Sequence, residues 1–170
     1  MKSLQKKVLI FSAVFHILAV IFSDGFHRPD EYLGIFQWMQ FKLGNLDVSK
    51  LSWEYEAQIR PWLQPYFYTG IVYFLKKIGL VNPFSQALIL RLISSMIGML
   101  SIYHLSELIL KINKTDLYKK IALLALATLW FLPFVHARTT AENFGMSFFI
   151  FGFYCLENRK HFLSGILFGL

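Results

Sequence analysis

The sequence has very little cysteine and little charge of either sign. Its one cysteine, Cys155, lies inside an apolar run, which excludes a disulfide framework and a thiolate metal site. Only 16% of the 170 residues are charged, whereas a soluble domain usually carries about a quarter. This deficit, together with 56% hydrophobic residues, indicates that lipid is the solvent for much of the surface.

The net charge of +7 does not indicate a nucleic-acid partner. Most lysines stand in short clusters between apolar runs, where basic residues mark the cytoplasmic side of a membrane protein. A cleavable signal peptide is not expected, because no small-residue cleavage site precedes Asp24. We therefore predict an all-α, multi-pass integral membrane protein that is surrounded by membrane lipids.

Apolar runs predict about five membrane spans, for which the usual length is about 20 residues. The run 84–110 is long enough to cross with tilt, 8–22 is slightly short, and 162–170 resembles the first half of a span. The run nearest the end of the sequence is still apolar at its last residue, so we interpret the chain as truncated or as the amino-terminal part of a longer protein. The predicted first outer loop is 24–83, and the predicted spans are 8–22, 84–110, 121–135, 143–156 and 162–170.

The segment 65–80 is ambiguous. Its apolar part ends at Leu75, after about 11 residues, which is too short to span a bilayer. If this segment crossed, the lysine-rich loop 111–120 would face outward, against the positive-inside rule. We therefore predict a juxtamembrane or re-entrant helix, which places 137–142 on the same non-cytoplasmic side as the first outer loop.

Two adjacent carboxylates follow the first span. Pro29 is well placed to open a helix, with Asp30 and Glu31 in its first turn, where the helix dipole favours negative charge. One carboxylate can act there as general base on an acceptor hydroxyl while the other orients a sugar or a cation. Acidic first turns are also common as simple helix caps, so the residues alone leave both interpretations open.

Aromatic side chains alternate with charged and polar ones further along the loop. Trp53 and Glu54 fall in one such stretch, and Trp62 and Tyr66 fall in another. Such mixtures are typical of surfaces that stack on sugar rings and also of the aromatic belt at a membrane interface. Composition does not separate the two; we interpret the first pair as part of a site and the second as belt.

These motifs resemble those of a known family. The stretches 27–32 and 52–55, followed by Arg60 and Tyr66, are similar to the dolichol-phosphate-mannose-dependent alpha-mannosyltransferases, which build GPI anchors and N-glycans and have the GT-C fold. That family carries a Pro-Asp-Glu-Tyr motif soon after its first helix, and a Thr-Trp-Glu-Trp-like motif before an Ile-Arg-Ser-Tyr-like stretch. The segment 137–143 resembles the family's Arg-Thr segment. The matches keep their order and cover nearly all of the chain.

The sequence departs from the family's pattern in two places. Tyr55 stands where the second tryptophan is usual, and Pro61 and Trp62 stand where Ser-Tyr is typical. Family members are also normally much longer, with many more helices. Activity of the 170-residue chain by itself is therefore a separate question from its ancestry.

The resemblance implies a multi-span helical bundle of the GT-C type with a helical first outer loop. It implies inverting transfer of mannose from a polyprenyl or dolichyl phosphate donor to a glycan or glycolipid acceptor on the non-cytoplasmic face, with no metal and no cofactor. Asp30 would be the general base, and Glu31 would help to hold acceptor or donor hydroxyls. The substrate-binding residues in the matched motifs would be His27, Tyr32, Trp53, Glu54 and Arg60.

A lipid-monophosphate leaving group needs positive charge to accept it, and arginines can supply that charge. Arg91 lies near the outer end of an apolar run, where an arginine either faces a cavity or partner, or snorkels toward the headgroups. Arg138 lies in the predicted outer turn, either as a second phosphate contact or as an ion-pair partner of Glu142. Both Arg138 and Glu142 are substrate-binding candidates, and Arg60 is a further phosphate candidate.

Two further polar groups are assigned no chemistry. His104 and Glu107 share a helix face, but they lie at the inner end, too far from the outer loop to join its chemistry, and we do not predict a metal site there. His16, in the middle of the first span, is expected to make a packing hydrogen bond.

Other functions are compatible with the same features. A metal-dependent oligosaccharyl transferase or another lipid-linked sugar transferase would share the architecture and the acidic outer loop. A transporter would place its ionisable groups near the bilayer midplane, whereas these acids cluster at the outer surface. A non-catalytic membrane fragment that assembles with another chain is the remaining alternative. An endoplasmic reticulum membrane or a bacterial inner membrane would suit each of them.

Overall fold

A computed structural model describes residues 1–26, 29–59 and 61–170, so His27, Arg28 and Arg60 lie outside the described residues. The structure is 78% helical, and its described residues form no strand. A π-helix (Glu31–Phe36) leads directly into the second α-helix, and a 3-10 turn (Val48–Lys50) precedes the third. In chain order the α-helices are α1 (Lys2–Ile21), α2 (Gln37–Lys42), α3 (Trp53–Glu56), α4 (Leu63–Lys77), α5 (Pro83–Ile112), α6 (Asp116–Thr128), α7 (Phe131–His136), α8 (Ala141–Glu157) and α9 (His161–Gly169).

Within the described part of the chain, α1 and α5 are the two helices long and apolar enough to cross a membrane. They run antiparallel. Near the start of α1, the Gln5 amide donates to Ser106 Oγ at 2.9 Å and to Glu107 Oε1 at 2.6 Å, near the end of α5. At the other end, the Arg91 guanidinium of α5 donates to the carbonyl of Ser23, just past α1. The chain is an all-α membrane protein, as predicted.

The predicted span 121–135 is two helices in the structure, α6 and α7. The helix stops at Leu129, whose ψ of 83° is not helical. Pro133 lies four residues later, and in a continuous helix its ring would collide with the Leu129 carbonyl. The apolar run at 121–135 therefore contains a break in the backbone that its hydropathy does not show.

The bundle is held together by α5, which packs against α1, α4, α6, α7 and α8. A buried polar contact joins α1 to α7: His16 Nε2 and His136 Nδ1 lie 2.9 Å apart, and His16 Nδ1 is 2.7 Å from the Ser12 carbonyl. His16 therefore makes the hydrogen bond predicted for it. The α9 helix packs on α8, where Ser164 Oγ donates to the Gly152 carbonyl at 2.9 Å.

The first outer loop is helical, as predicted, and it folds back onto the bundle. Ile35 and Met39 of the π-helix and α2 pack against Tyr68 and Val72 of α4 in the largest apolar cluster of the described residues. The α4 helix covers 15 residues and packs against the start of α5. Leu90 of α5 completes this cluster, so the loop is anchored to a candidate membrane span.

The two ends of the bundle differ in charge. At one end, Lys111 at the close of α5 pairs with Glu157 at the close of α8, 3.4 Å away. The start of α1, with its lysines, lies at the same end because Gln5 contacts Ser106 and Glu107, and the lysines of the α5–α6 loop follow Lys111 in the chain. We call this the basic end. The other end carries the first outer loop and the turn between α7 and α8, and we call it the loop end.

Close packing of α5 on α7 yields a stability prediction. A Cβ added to Gly98 would lie 2.2 Å from His136 Cγ, which is sterically impossible without movement of that ring. We expect Gly98→Ala to cost about 1–3 kcal/mol, measured as a lower melting temperature in detergent. Gly145→Ala is the matched control, because a Cβ there meets nothing within 4 Å. Equal melting temperatures for the two variants would contradict the packing described.

Candidate active site

Three chain segments meet at the loop end: the exit from α1 with the start of the π-helix, the α5 helix near Arg91, and the turn between α7 and α8. The second segment belongs to α5. This helix begins at Pro83, and the Asn82 side chain caps its first turn. The third is fixed by Thr140, whose side chain caps α8 by accepting from the Asn143 N–H at 3.4 Å. The second and third segments therefore enter the site beside capped helix starts.

The Glu31 carboxylate joins the first of these segments to the third. Glu31 is only 1% exposed, and its Oε1 accepts hydrogen bonds from the Thr139 backbone N–H at 3.1 Å and from Thr139 Oγ1 at 2.8 Å. The two residues are 108 positions apart in the sequence. The acidic start of the loop and the turn 137–142 therefore lie at the same end of the bundle.

Two arginines converge on one carbonyl beside this carboxylate. Arg91 donates to the Gly25 carbonyl at 2.7 Å, and Arg138 donates to the same oxygen at 3.0 Å. The Nε atoms of both guanidinium groups are buried and have no hydrogen-bond partner in the described part of the chain. Two guanidinium groups this close repel each other, and a nearby negative charge stabilises them. The Glu31 carboxylate supplies part of that negative charge.

Burial lowers the pKa of the Arg138 guanidinium below its ordinary value, while the carboxylates of Glu31 and Asp24 act in the opposite direction. Arg91 adds to the lowering because it has the same charge. An arginine side chain nevertheless stays protonated in proteins. The loop end therefore keeps two cations next to at least one buried carboxylate.

The turn that carries Arg138 is built on Asn143. This side chain is fully buried, and its Nδ2 lies within hydrogen-bond distance of three carbonyls, those of Ser94 (3.3 Å), His136 (3.0 Å) and Arg138 (3.2 Å). One amide thus ties α5, the end of α7 and the turn together. The position of the Arg138 backbone depends on this contact.

A second set of hydrogen bonds supports the turn from the side of α4. Gln64 Nε2 donates to the Thr139 carbonyl at 3.3 Å and to the Thr140 carbonyl at 3.2 Å. Tyr68, one helical turn further on, shares a hydrogen bond of 2.6 Å with Ser94 of α5. Helix α4, predicted only as a short juxtamembrane or re-entrant segment, is therefore part of the wall of the site.

Asp30 differs from Glu31 in its exposure. Its side chain is exposed, and the π-helix begins at the next residue. Segments of π-helix widen the helix by one residue per turn and are frequent at functional sites. At its start the two neighbouring acids have different surroundings, with Asp30 exposed to solvent and Glu31 buried.

A cavity of about 730 Å³ opens between the end of α1, the π-helix and the start of α5. Its charged lining residues are Asp24 and Arg91, and its polar uncharged ones include Tyr32, Gln40, Ser85 and Gln86. The remaining wall is mostly apolar. These apolar lining residues include Val20, Ile21, Phe36, Met39, Val72, Phe84, Leu88 and Leu90.

The other predicted site residues are placed as follows. Tyr32 is 42% exposed and packs its ring on Phe26, 5.1 Å away. Trp53, on the short α3, is 70% exposed, and neither it nor the half-buried Glu54 lines the cavity. His27 and Arg60 lie outside the described residues.

The acidic residue of the α7–α8 turn is not paired as one alternative supposed. Glu142 is exposed in the first turn of α8, where the helix dipole favours it. Among the residues that the structure describes, no ion pair joins it to Arg138, whose guanidinium donates to Gly25 instead. Arg138 is therefore turned toward the first loop and away from Glu142.

Sequence reasoning missed Thr139, Asn143 and Gln64 as parts of the site. Thr139 and Asn143 stand inside the motif that was singled out, but a threonine or asparagine before a helix is most simply interpreted as a cap. Gln64 lies in an aromatic stretch that was assigned to the interface. No local pattern marks a side chain whose partner is a distant backbone group.

The fold and the site define a membrane protein with a buried acid and two arginines at one end of a helical bundle. A sequence profile of the Alg9-like mannosyltransferase family matches residues 7–168, which is nearly the whole chain. The chain belongs to that family, and the predicted resemblance is thereby confirmed. It is a glycosyltransferase of the mannosyltransferase kind. Neither the curated proteins nor the solved structures contain a match to the chain.

The contacts of Asn143 predict the stability of the turn. We expect Asn143→Ala to cost about 1–3 kcal/mol, because it removes a buried donor from the carbonyls that it serves. The measurement is thermal unfolding in detergent. Asn45→Ala is the matched control, since Asn45 is exposed and its amide donates to the Gln40 side chain. A loss no larger than that of the control would show that the turn is held by other contacts.

Proposed function

We propose that the protein transfers mannose from a polyprenyl or dolichyl phosphate donor to a glycan or glycolipid acceptor on the non-cytoplasmic face of the membrane. The observation that carries this proposal is the cavity between α1, the π-helix and α5, which has Arg91 in its wall and a lining that is mostly apolar. A lipid phosphate has the same division into an anionic head and an apolar chain.

The positive charge supports a phosphate leaving group. Arg91 and Arg138 approach each other at Gly25, and each has a buried Nε without a partner among the described residues. In water, both guanidinium groups would be fully hydrated. Beside the cavity, an anionic oxygen of a ligand can replace the water molecules that would bind them. The donor phosphate would lie next to Arg91, with Arg138 behind it.

The apolar wall supports a lipid-linked donor over a soluble nucleotide sugar. Phe84 and Leu88 of α5 and Val20 and Ile21 of α1 belong to helices that are candidate membrane spans. A cavity between two such helices can be entered from the hydrocarbon region by an isoprenoid chain. A donor of that kind needs no aqueous route to the site.

Asp30 is the base in the proposed reaction. It would take the proton of the acceptor hydroxyl as that oxygen attacks C1 of the mannose. The bond from C1 to the phosphate oxygen breaks at the same time, and its electron pair leaves with the lipid phosphate. Solvent exposure of Asp30 supports this role, since an acceptor glycan would arrive from the aqueous side.

The sidedness rests on the charge difference between the two ends. Lys2, Lys6 and Lys7 of α1, with the lysines of 111–120, belong to the basic end, and the positive-inside rule assigns such clusters to the cytoplasm. The loop end would then face the lumen of the endoplasmic reticulum or the periplasmic side of a bacterial inner membrane.

The proposed base can be tested by a single substitution. We expect Asp30→Asn to lower mannose transfer at least about 100-fold, the size of a typical general-base contribution, with membrane insertion unchanged. The assay uses membranes that contain the protein and a radiolabelled polyprenyl-phosphate mannose, with and without EDTA. Asp47→Asn is the matched control, because Asp47 is an exposed aspartate of the same loop whose side chain accepts from the Ser49 N–H.

Full activity of Asp30→Asn would end the assignment of the base. Transfer that EDTA abolishes would favour the metal-dependent sugar transferase instead. If neither the natural sequence nor its variants transfer sugar until further helices are supplied from another chain, the protein is the membrane fragment of the remaining alternative.

The proposed phosphate contact has its own prediction. Arg91→Gln should raise the KM for the lipid-phosphate donor about 10-fold or more, because a charge-assisted hydrogen bond to a phosphate is lost. The KM for the acceptor should change little. Arg159→Gln, an exposed arginine of the basic end, serves as control. An unchanged donor KM in Arg91→Gln would exclude a direct contact between this arginine and the phosphate.

A further inference from the structure

Thr139 makes two hydrogen bonds to a single carboxylate oxygen. Its backbone N–H and its Oγ1 both donate to Glu31 Oε1, at 3.1 and 2.8 Å, and the residue is fully buried. Hydrogen bonds to an ionised carboxylate are shorter and stronger than neutral ones. This pair of bonds is therefore a strong link between the first outer loop and the α7–α8 turn.

Glu31 is poorly placed to touch a substrate itself. Its carboxylate is 1% exposed and does not line the cavity. Glu31 is, however, the residue directly after Asp30, and it is the first residue of the π-helix. If the Glu31 side chain were not held, the Glu31 backbone could move, and Asp30 would move with it because one peptide bond joins the two residues.

The turn that holds Thr139 is itself rigid. Asn143 donates to the carbonyl of the preceding residue, Arg138, and Gln64 donates to the carbonyl of Thr139 at 3.3 Å. Both donors are buried, and Asn143 and Gln64 belong to different helices. The hydroxyl of Thr139 is thus presented from a fixed backbone, which is what a positioning group requires.

We propose that Thr139 is a positioning residue: through Glu31 it fixes the start of the π-helix and thereby holds Asp30 at the distance from the acceptor hydroxyl that proton transfer needs. This inference rests on the proposed function for the role of Asp30. It assigns no contact with substrate to Thr139 and none to Glu31.

The first test measures turnover. Thr139→Val keeps the shape and the backbone donor but removes the hydroxyl, whereas Thr139→Ser keeps both donors. We expect Thr139→Val to lower kcat about 10- to 100-fold, the cost of a small misplacement of a catalytic group, with the donor KM within about twofold. Thr139→Ser should recover kcat to within about threefold.

The matched control is Thr128→Val. Thr128 is exposed on α6, and its hydroxyl donates to the Leu124 carbonyl within the same helix at 3.1 Å. The same chemical change there should leave kcat and KM unchanged. Melting temperatures of all variants are measured in the same detergent, so that a variant that does not fold is recognised as such.

The second test does not depend on turnover. A nitroxide label is attached to Asp30→Cys in a Cys155→Ser background, which removes the buried free cysteine. Its motion is followed by electron paramagnetic resonance with Thr, Val or Ser at position 139. We expect a more mobile spectrum with Val and nearly the same spectrum with Thr and Ser.

The outcomes separate the two claims. Absence of mannose transfer by the natural sequence would overturn the proposed function, while the label at position 30 would still decide whether Thr139 restrains that residue. Identical label spectra for Thr and Val would overturn the positioning role. So would a kcat in Thr139→Val equal to that of Thr128→Val, or a Thr139→Ser variant as slow as Thr139→Val.

Discussion

The hydrogen bonds from Thr139 to the buried carboxylate of Glu31 are the interaction on which the rest of the loop end depends. A carboxylate out of water is costly unless it is hydrogen-bonded and near positive charge. Glu31 meets both conditions, since it accepts two hydrogen bonds and lies near the Arg138 guanidinium. These conditions require the first outer loop to fold back onto the bundle and the α7–α8 turn to stay closed.

The same constraint explains why two arginines are tolerated beside a candidate membrane span. Arg91 and Arg138 satisfy part of their hydrogen-bonding capacity on carbonyls of residues 23–25, directly after α1. An arginine in an apolar helix is expensive unless it has such partners. The backbone of the loop therefore provides acceptors to both guanidinium groups, and the acids Glu31 and Asp24 favour the charge of Arg138.

Much of the fold could be predicted from the sequence, because apolar runs and lysine clusters report directly on contact with lipid. The runs at α1 and α5 gave the two long helices, and the Pro-Asp-Glu motif gave a helical start to the outer loop. The division of 121–135 at Leu129 was not foreseen, since hydropathy does not register the clash between a proline ring and a carbonyl four residues before it. Similarly, nothing local shows that Gln64 of α4 supports the α7–α8 turn, because its partners are backbone carbonyls more than 70 positions away.

The sequence by itself determined the class of the protein, its family and the chemical types at the loop end: adjacent acids after the first helix and arginines in two later segments. Only the tertiary structure decided how these groups are placed relative to solvent and to one another. It buried Glu31 and left Asp30 exposed, and it turned Arg138 toward Gly25 and away from Glu142. The physical reason is that burial and hydrogen-bond partners are properties of the packed chain. Two neighbouring carboxylates are equivalent in a sequence, and they become different only when one of them is enclosed by residues 108 positions away.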